Sequence, residues 1–151
     1  MTRPTKDEYY LSIADQVATR STCGRRSVGC VLVDADNHIV STGYNGPPRS
    51  FPHCTTTPCL GAGKHGSGTP DLDGCLAVHA ETNAFLQLAG RTYKSPLTLY
   101  TQVNPCFACA KNVCNSDVKR VVVKDWYHAD HSLRVSDLFT IARIELIVKN
   151  V

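Results

Sequence analysis

Residues of the types that bind a transition metal, together with a spare carboxylate, stand in two short segments of the chain. His79 is followed two positions later by Glu81, and Cys106 comes 25 residues beyond Glu81 with Cys109 three positions after it. One histidine and two cysteines can hold a zinc ion at three corners of a tetrahedron and leave the fourth open for water. Zinc lowers the pKa of such a water toward ~7. Glu81 is not needed as a ligand and is free to move protons.

Each half of this pattern has a simpler interpretation when it is taken alone. A histidine on a partly apolar helix is more often a packed or surface residue. The Cys106-x-x-Cys109 spacing also occurs in redox pairs and in halves of structural zinc knuckles. Because both halves open a predicted helix and one predicted strand separates them, the combination favours a single metal site.

The predicted elements bring the two halves together. Hydrophobic periodicity predicts helices over 9–20, 76–89, 106–114 and 132–143, and strands over 27–33, 38–42, 97–103, 118–124 and 144–148. His79 and Glu81 then lie in the first turns of the second helix, and Pro105 suits the first turn of the third. Cys106 and Cys109 share one face of that third helix. A helix N-terminus favours thiolates, so two such helices lying side by side would meet at one metal.

The order of these elements predicts the fold class. It is α-β-β-α-β-α-β-α-β, which indicates an α/β protein with a five-stranded mixed sheet and helices on both faces, a three-layer α-β-α arrangement. We find no internal repeat and no linker in the 151 residues. A single domain over residues 1–151 is therefore expected, and this length can bury a sizeable core.

Composition and charge limit the classes of function. Hydrophobic residues make up 42% of the chain and charged residues 19%, as in soluble globular proteins. The formal net charge of +3 favours anionic substrates, but it is too small and too scattered to predict a nucleic-acid surface. The polar N-terminus has no signal region, and no apolar run approaches the roughly 18 residues of a membrane span. We therefore predict a cytoplasmic protein (host cytoplasm if the chain is phage-encoded) with neither a nucleic-acid nor a membrane partner.

A second group of cysteines surrounds the irregular segment 43–74, which is rich in Gly, Pro, Ser, Thr, Cys and His. A structureless stretch this long is unusual in a compact domain unless something holds it. Cysteines of a cytosolic protein more often bind metal than form disulfides, so a four-thiolate structural zinc is one interpretation. Its candidate ligands are Cys23, Cys54, Cys59 and Cys75, with His53 and His65 as alternatives. The simpler interpretation is that they are thiols in a loop, and Cys30 and Cys114 are interpreted as ordinary buried thiols.

Several segments together carry a resemblance to a known family. They are Arg20-Ser21-Thr22-Cys23, Ser27-Val28-Gly29-Cys30, Gly43-Tyr44-Asn45-Gly46, His53-Cys54 with Cys59 and Cys75, His79-Ala80-Glu81-Thr82-Asn83-Ala84 and Pro105-Cys106-Phe107-Ala108-Cys109-Ala110-Lys111. H-x-E followed by P-C-x-x-C is typical of zinc-dependent nucleobase deaminases, and nearly the full chain resembles the cytidine deaminase superfamily. Within it the chain resembles the deoxycytidylate (dCMP) deaminase branch, phage-type and ComE-operon-type proteins included. The GYNG segment and the cysteine-rich insert separate this branch from tRNA adenosine and free cytosine deaminases.

The resemblance implies conversion of dCMP to dUMP and ammonia, which supplies dUMP for thymidylate synthesis. It makes Glu81 the catalytic residue and His79, Cys106 and Cys109 the ligands of a catalytic Zn²⁺. The substrate contacts that it implies are Ser27, Asn45, Ala80, Asn104 and Tyr127. In phage-type relatives a second, structural zinc uses the positions of Cys23 and Cys54.

The resemblance also implies regulation. Relatives form homohexamers that dCTP activates and dTTP inhibits, and the effector binds with Mg²⁺ near the GYNG segment. A triphosphate needs N–H donors and cations, which this chain offers at Arg25, Arg26, Gly43, Tyr44, Asn45, Gly46 and Arg49. The simpler interpretation is an ordinary loop beside solvated arginines. The sign of regulation, and whether dCTP is itself a substrate, do not follow from the sequence.

Two other functions compete with this interpretation. The first is another deaminase of the superfamily, acting on a tRNA adenosine or a free base, and the small net charge argues against tRNA. The second is a zinc-stabilised binding module without catalysis, against which Glu81 argues because a structural site would use a fourth ligand. Gln102 and Asn104 stand where the family commonly has Thr and a small residue, so the contacts at the pocket edge are left open.

Overall fold

The computed structural model describes residues 2–61, 74–127 and 132–151. Within these ranges the helices are α1 (Lys6–Ala18), α2 (Ala80–Leu88), α3 (Phe107–Cys114) and α4 (Ser132–Ile141). The strands are β1 (Gly29–Val33), β2 (Ile39–Tyr44), β3 (Leu97–Val103), β4 (Val118–Asp125) and β5 (Glu145–Val148). Their order along the chain is the order predicted from the sequence.

The strands form one mixed sheet in the order β2-β1-β3-β4-β5. β1 is antiparallel to both β2 and β3, whereas β3, β4 and β5 run parallel to one another. The start of β1 and the ends of β2, β3 and β4 therefore lie at the same end of the sheet. This end, marked by Gly29, Tyr44, Val103 and Asp125, is called the site end below.

Helices cover both faces of the sheet, which confirms the predicted three-layer α-β-α fold. On one face Tyr10, Leu11 and Ala14 of α1 pack against residues of β1, β3 and β4. On the other face α2, α3 and α4 form a second apolar cluster with the same strands. Strands that are buried on both faces read as continuous apolar runs, and residues 121–123 of β4 are fully buried.

Two glycines on neighbouring strands allow the helices to approach the sheet closely. A Cβ at Gly29 would lie 3.0 Å from the Ala18 Cα and would collide with the backbone of α1. A Cβ at Gly43 would lie 3.0 Å from the Ala84 Cα and would collide with the backbone of α2. Side chains at these positions would push both helices off the sheet, and α2 carries part of the candidate site.

α1 begins and ends earlier than the predicted helix over 9–20. Its N-terminus is a capping box, in which the Thr5 Oγ1 accepts the Glu8 N–H and the Glu8 carboxylate accepts the Thr5 N–H at 2.7 Å. The box satisfies backbone donors of the first turn. That turn is polar, so hydrophobic periodicity, which starts at Tyr9, does not reveal it.

The predicted second helix over 76–89 is wrong at its N-terminus, because α2 begins four residues later. Val78 is not helical, since it exchanges two backbone hydrogen bonds of 2.8 and 3.2 Å with Gly46. His79 is consequently the N-cap of α2 and does not lie inside its first turn. The pairing of Val78 joins segments that are distant in the sequence, which local periodicity cannot show.

The remaining boundaries differ from the predicted ones by one or two residues. β1 starts at Gly29 because the Asn45 side chain, not a strand, accepts the Val28 N–H at 2.9 Å. β2 starts one residue later and ends two residues later than predicted, and β4 is one residue longer. α4 ends two residues earlier, and β5 begins one residue later.

A network of charged and hydroxyl groups ties α1 to the parallel strands. Arg120 donates from Nη1 and Nη2 to the Asp7 carboxylate at 2.8 and 2.9 Å, and from Nε to Glu145 at 3.1 Å. The Tyr100 hydroxyl also donates to Asp7 at 3.1 Å. The hydrogen bonds from Arg120 are the main reason that the pKa of Asp7 is lowered.

No helix in the three described ranges combines the length and apolarity that a bilayer crossing requires. Residues 62–73 of the irregular segment, among them His65, lie outside the described residues.

Candidate active site

The three ligands predicted for the catalytic metal come together at the site end. The His79 Nδ1 lies 3.4 Å from the Cys106 Sγ and 3.5 Å from the Cys109 Sγ, and all three ligand atoms lie within 4.8 Å of one another. Tetrahedral zinc, with Zn–S of ~2.3 Å and Zn–N of ~2.0–2.1 Å, places nitrogen and sulfur about 3.6 Å apart. The N and S separations therefore fit zinc, with a fourth position left for another ligand.

The cluster is built from the N-termini of two helices. His79 caps α2 with an extended backbone (φ −71°, ψ 154°), and Cys106 caps α3 in the same way (φ −66°, ψ 167°). Pro105 therefore precedes the cap, which corrects its predicted place in the first turn. From the cap, the Cys106 Sγ accepts the Cys109 N–H at 3.5 Å, as side chains at N-caps commonly do.

The electrostatics of the cluster favour a thiolate. The pKa of Cys106 is lowered to about 4, first by the hydrogen bond from the Cys109 side chain and also by His79. The pKa of Cys109 is raised, because its thiol donates to Cys106 and is buried. The hydrogen bond to Cys106 also raises the pKa of His79. Thiolate is the form of cysteine that binds metal, so the cluster stabilises the state that a zinc ion requires.

Glu81 lies in the first turn of α2 and is only 5% exposed. Burial is the main reason that its pKa is raised, and the neighbouring Cys106 adds to the effect. Its carboxylate is not a member of the ligand cluster. A buried carboxyl group beside a metal site can hold and release a proton there.

Thr82 is a part of the site that sequence reasoning missed. Its Oγ1 lies 3.8 Å from the Cys109 Sγ. Thr82 follows His79 by three positions, so that one turn of α2 presents both side chains to the cluster. The helical spacing was the available signal, but a threonine has no metal chemistry that singles it out.

The segment 43–46 positions α2 rather than forming an isolated loop. Gly46 exchanges two backbone hydrogen bonds with Val78, which directly precedes the N-cap. The Tyr44 carbonyl accepts a hydrogen bond from the Asn83 Nδ2 at 2.8 Å. The end of α2 that carries the candidate ligand His79 is therefore held by the end of β2.

Asn45 fixes the chain that leads into β1. Its Oδ1 accepts hydrogen bonds from the Val28 N–H at 2.9 Å and the Ser21 hydroxyl at 2.6 Å, and its Nδ2 donates to the Arg26 carbonyl at 2.7 Å. The side chain is buried. The contact of Asn45 with the substrate stays a prediction, and in the structure its side chain also supports the chain before β1.

Asn104, Tyr127 and Arg26 meet at the site end. The Asn104 Oδ1 accepts the Tyr127 N–H at 2.6 Å, which joins the loop after β3 to the loop after β4. The Arg26 guanidinium lies over the Tyr127 ring, 5.0 Å from its centroid. Asn104 and Tyr127, two predicted substrate contacts, thus lie beside Arg26, which was predicted to bind the effector.

The other predicted nucleotide contacts occupy separate positions. Ser27 is exposed just before β1, and Ala80 is buried at the start of α2. Arg25 is half-buried, and Arg49 is exposed in the loop after Gly46. Their roles in binding nucleotides stay predictions.

The second group of cysteines is partly assembled. The Cys54 and Cys59 sulfurs lie 3.6 Å apart, and the Cys54 Sγ accepts the Cys59 N–H at 3.4 Å. Cys54 is buried, and a Cβ added at Gly24 would lie 3.3 Å from its sulfur. The chain beside Cys23 therefore packs on this pair.

Cys75 lies beside Gly61, which donates a backbone hydrogen bond to the Gly74 carbonyl at 2.8 Å. Within the described part of the chain, the His79 cluster is nevertheless the one group of three or more metal-ligand types whose atoms lie close enough for an ion. The four-thiolate zinc stays a prediction. The alternative ligand His53 is exposed, and His65 lies outside the described residues.

The nitrogen and two sulfur donors at the site end of this three-layer α-β-α domain fit a zinc ion whose fourth position stays open. A family profile described as "Cytidine and deoxycytidylate deaminase zinc-binding region" matches residues 4–125. The chain belongs to this family, as the resemblance of its motifs predicted.

Curated relatives support the deoxycytidylate branch. The deoxycytidylate deaminase of Mycobacterium phage D29 is 41% identical over 128 residues, which cover 81% of this chain and 96% of the phage protein. The deoxycytidylate deaminase of Schizosaccharomyces pombe is 37% identical over 85% of this chain and 39% of its own length. ComE operon protein 2 of Bacillus subtilis is 30% identical over 84% of this chain and 63% of its own. The chain spans about two fifths of the yeast relatives it matches.

Solved structures share the fold. The dCMP deaminase of cyanophage S-TIM5, in complex with dCMP and dUMP, superposes with a TM-score of 0.74 over 98% of this chain and 99% of that one. The apo form of the same protein gives a TM-score of 0.72. The sequence identity is 23% in both comparisons, so they establish the fold alone.

Proposed function

We propose that the chain is a zinc-dependent deaminase that hydrolyses dCMP to dUMP and ammonia. The observation that carries the proposal is Glu81, a buried carboxyl group beside a His-Cys-Cys cluster that does not include it. A purely structural zinc would use a fourth protein ligand and would leave no spare carboxylate. When bound there, zinc supplies a Lewis acid that lowers the pKa of a coordinated water toward ~7.

The residues of the chain itself handle the protons and the substrate. In the net reaction the oxygen of water replaces the amino group at C4 of the cytosine ring, and ammonia leaves. Glu81 accepts the two protons of the water in turn and delivers one to the ring nitrogen N3 and the other to the departing amino group. Ser27, Asn45, Ala80, Asn104 and Tyr127 contact the nucleotide.

The choice of dCMP rests on the resemblance to the deoxycytidylate branch and on the names of the relatives. The small positive net charge is compatible with an anionic nucleotide. In this proposal dUMP supplies thymidylate synthesis in the cytoplasm.

Regulation is a separate part of the proposal. dCTP activates and dTTP inhibits a homohexamer, and the effector binds with Mg²⁺ beside residues 43–46, Arg25 and Arg49. Exposed or half-buried arginines near a glycine-containing backbone are suited to phosphate groups. The two nucleotides differ at the base edge, a donor at cytosine N4 against an acceptor at thymine O4, so one polar contact can favour opposite states of the enzyme.

The decisive experiment measures ammonia release from dCMP, deoxycytidine, cytosine and a tRNA by the zinc-loaded protein, together with its zinc content. We expect kcat/KM for dCMP to exceed that for deoxycytidine by about 100-fold, since phosphate recognition by charged hydrogen bonds is worth about that factor. Comparable values for the two would indicate a nucleoside deaminase. Ammonia release from cytosine or from a tRNA adenosine alone would indicate another branch. Bound zinc without release from any substrate would indicate a binding module.

A further inference from the structure

Arg26 is placed differently from the other arginines near the site. Its guanidinium lies 5.0 Å from the centroid of the Tyr127 ring. The residue is exposed, and within the described ranges it has no ion pair with a carboxylate. The Arg120 guanidinium, in contrast, donates hydrogen bonds to the Asp7 and Glu145 carboxylates. Arg26 thus keeps its charge and its hydrogen-bond donors available for a ligand.

The backbone that carries Arg26 is held at its own carbonyl and at the residues that follow it. The Asn45 Nδ2 donates to the Arg26 carbonyl at 2.7 Å, and the Asn45 Oδ1 accepts the Val28 N–H at 2.9 Å. One residue further on, the Gln102 Oε1 accepts the Gly29 N–H at 2.8 Å. A side chain on so well-fixed a loop loses little backbone entropy when it binds.

The Tyr127 side of the pair is fixed as well. The Tyr127 N–H donates to the Asn104 Oδ1 at 2.6 Å, and Asn104 lies two residues before the metal ligand Cys106. The ring is 54% exposed, so its face is available to the guanidinium. β1 begins where β3 and β4 end, and this topology brings Arg26, Asn104 and Tyr127 to the end of the sheet that carries the metal cluster.

We propose that Arg26, held over Tyr127, binds the 5′-phosphate of the substrate. The contact with Tyr127 places the guanidinium charge over the ring, and no hydrogen bond within the described ranges uses the Arg26 side-chain donors. These donors can therefore form paired hydrogen bonds with phosphate oxygens. This inference rests on the proposed function, because it names the residue that recognises the phosphate of dCMP. It moves Arg26 from the predicted effector site to the substrate site.

The test compares the wild-type protein with Arg26→Ala and Arg26→Lys, without any nucleoside triphosphate present. For each protein, kcat and KM are measured with dCMP and with deoxycytidine. Affinities for dUMP and deoxyuridine are measured by calorimetry, which does not require turnover. Arg3→Ala is the matched control, since Arg3 is an exposed arginine before α1, at the opposite end of the sheet. Thermal melting verifies that each variant is folded.

We expect Arg26→Ala to lower kcat/KM for dCMP by about 10- to 100-fold, mainly through KM, because charged hydrogen bonds to phosphate are lost. The values for deoxycytidine and the affinity for deoxyuridine should change by less than about twofold. Arg26→Lys keeps the charge but not the paired donors, so it should fall between wild type and Arg26→Ala.

Three results would overturn the inference. Equal losses for dCMP and deoxycytidine would show that Arg26 only supports the fold. Unchanged values for both substrates and both products would show that another group binds the phosphate. Equal kcat/KM for the two substrates in the wild-type protein would overturn dCMP specificity itself. This measurement needs no variant, so it distinguishes a failure of the proposed function from a failure of the role assigned to Arg26.

Discussion

The Gln102 Oε1 accepts the backbone N–H of Gly29 at 2.8 Å, at the point where β1 and β3 separate. The last pair in their register is Cys30 with Thr101, so the side-chain hydrogen bond lies where the next backbone bond of the ladder would lie. The Gln102 Nε2 also donates to the Ala14 carbonyl of α1 at 2.8 Å. One side chain thus closes the gap between two diverging strands, while the chains beyond them form the loops of the site.

Gln102→Ala should lower the free energy of unfolding by about 1–3 kcal/mol, because the buried Gly29 N–H loses its partner. Urea unfolding measures this change. Gln87→Ala is the matched control, since Gln87 is exposed on α2, and it should change stability by less than about 0.5 kcal/mol. Equal effects of the two substitutions would show that the Gln102 side chain does not support the strands.

The contact between Asp7 and Arg120 should make stability depend on pH. Hydrogen bonds from Arg120 lower the pKa of Asp7 in the folded protein, so the folded state binds fewer protons than the unfolded state near that pKa. The stabilisation is fully present above the unfolded value of about 3.9 and is lost as the pH falls through the lower folded value. Asp7→Asn should lower the free energy of unfolding by about 1–2 kcal/mol near pH 6. This is less than a fully buried charged pair would contribute, because the Arg120 side chain is 30% exposed and solvent screens the pair.

The measurement is the difference in unfolding free energy between the wild-type protein and Asp7→Asn from pH 6 down to pH 3. We expect this difference to shrink below about pH 4. Asp36→Asn is the control, because Asp36 pairs with Lys94 on the surface with 51% of its side chain exposed, and such pairs contribute about 0–1 kcal/mol. A difference that stays constant over the whole range would contradict the prediction.

Glu81→Gln should abolish deamination while the zinc stays bound. The substitution keeps the size of the side chain and removes its ability to exchange protons, which is worth ~10²–10⁴-fold in rate. Ammonia release and metal content are measured on the same preparation. Glu145→Gln, at the other end of the parallel strands, is the control and should keep its activity. A Glu81→Gln protein with more than about a tenth of the wild-type turnover would refute the catalytic role of Glu81.

Cys54→Ser should lower both the melting temperature and the zinc content, from about two ions per chain to about one. The prediction rests on the 3.6 Å contact between the Cys54 and Cys59 sulfurs and on the need of the insert for a clasp. Cys114→Ser, which changes a thiol outside both clusters, should leave the zinc content unchanged. Normal melting with two zinc ions in Cys54→Ser would count against a structural site.

Arg49→Ala should weaken the responses to both dCTP and dTTP. Effector coupling is typically worth ~1–3 kcal/mol, and a lost phosphate contact removes part of it. The quantity measured is the ratio of initial rates with and without each nucleotide at subsaturating dCMP, so a change in the basal rate cancels. Arg91→Ala, at an exposed position just after α2, is the control. Flat titrations of the wild-type protein with both nucleotides would remove the regulatory part of the proposal.

Sequence reasoning was most successful for the elements whose signal is local. The continuous apolar run at 121–123 predicts a strand buried on both faces, and the structure places it in β4, between β3 and β5, with all three residues fully buried. It failed where a distant segment decides the conformation. Leu76 to Val78 continue an apolar pattern into α2, yet the two hydrogen bonds between Val78 and Gly46 hold that stretch extended.

The candidate site likewise contains residues that could be predicted from the sequence and a contact that could not. His79, Cys106 and Cys109 could be predicted because their residue types and spacing have a chemical meaning of their own. The contact between Arg26 and Tyr127 could not, because it depends on how the loops before β1 and after β4 meet. Nothing in the sequence near either residue indicates the other.

By itself, the sequence determined the candidate metal ligands, the carboxylate beside them and the order of helices and strands, because residue type and local spacing carry these. The tertiary structure decided that His79 and Cys106 are the N-caps of their helices and which loops surround the cluster. The physical reason is the direction of the strands. Antiparallel β1 begins beside the ends of parallel β3 and β4, so side chains from segments that are distant in the sequence meet at one end of the sheet.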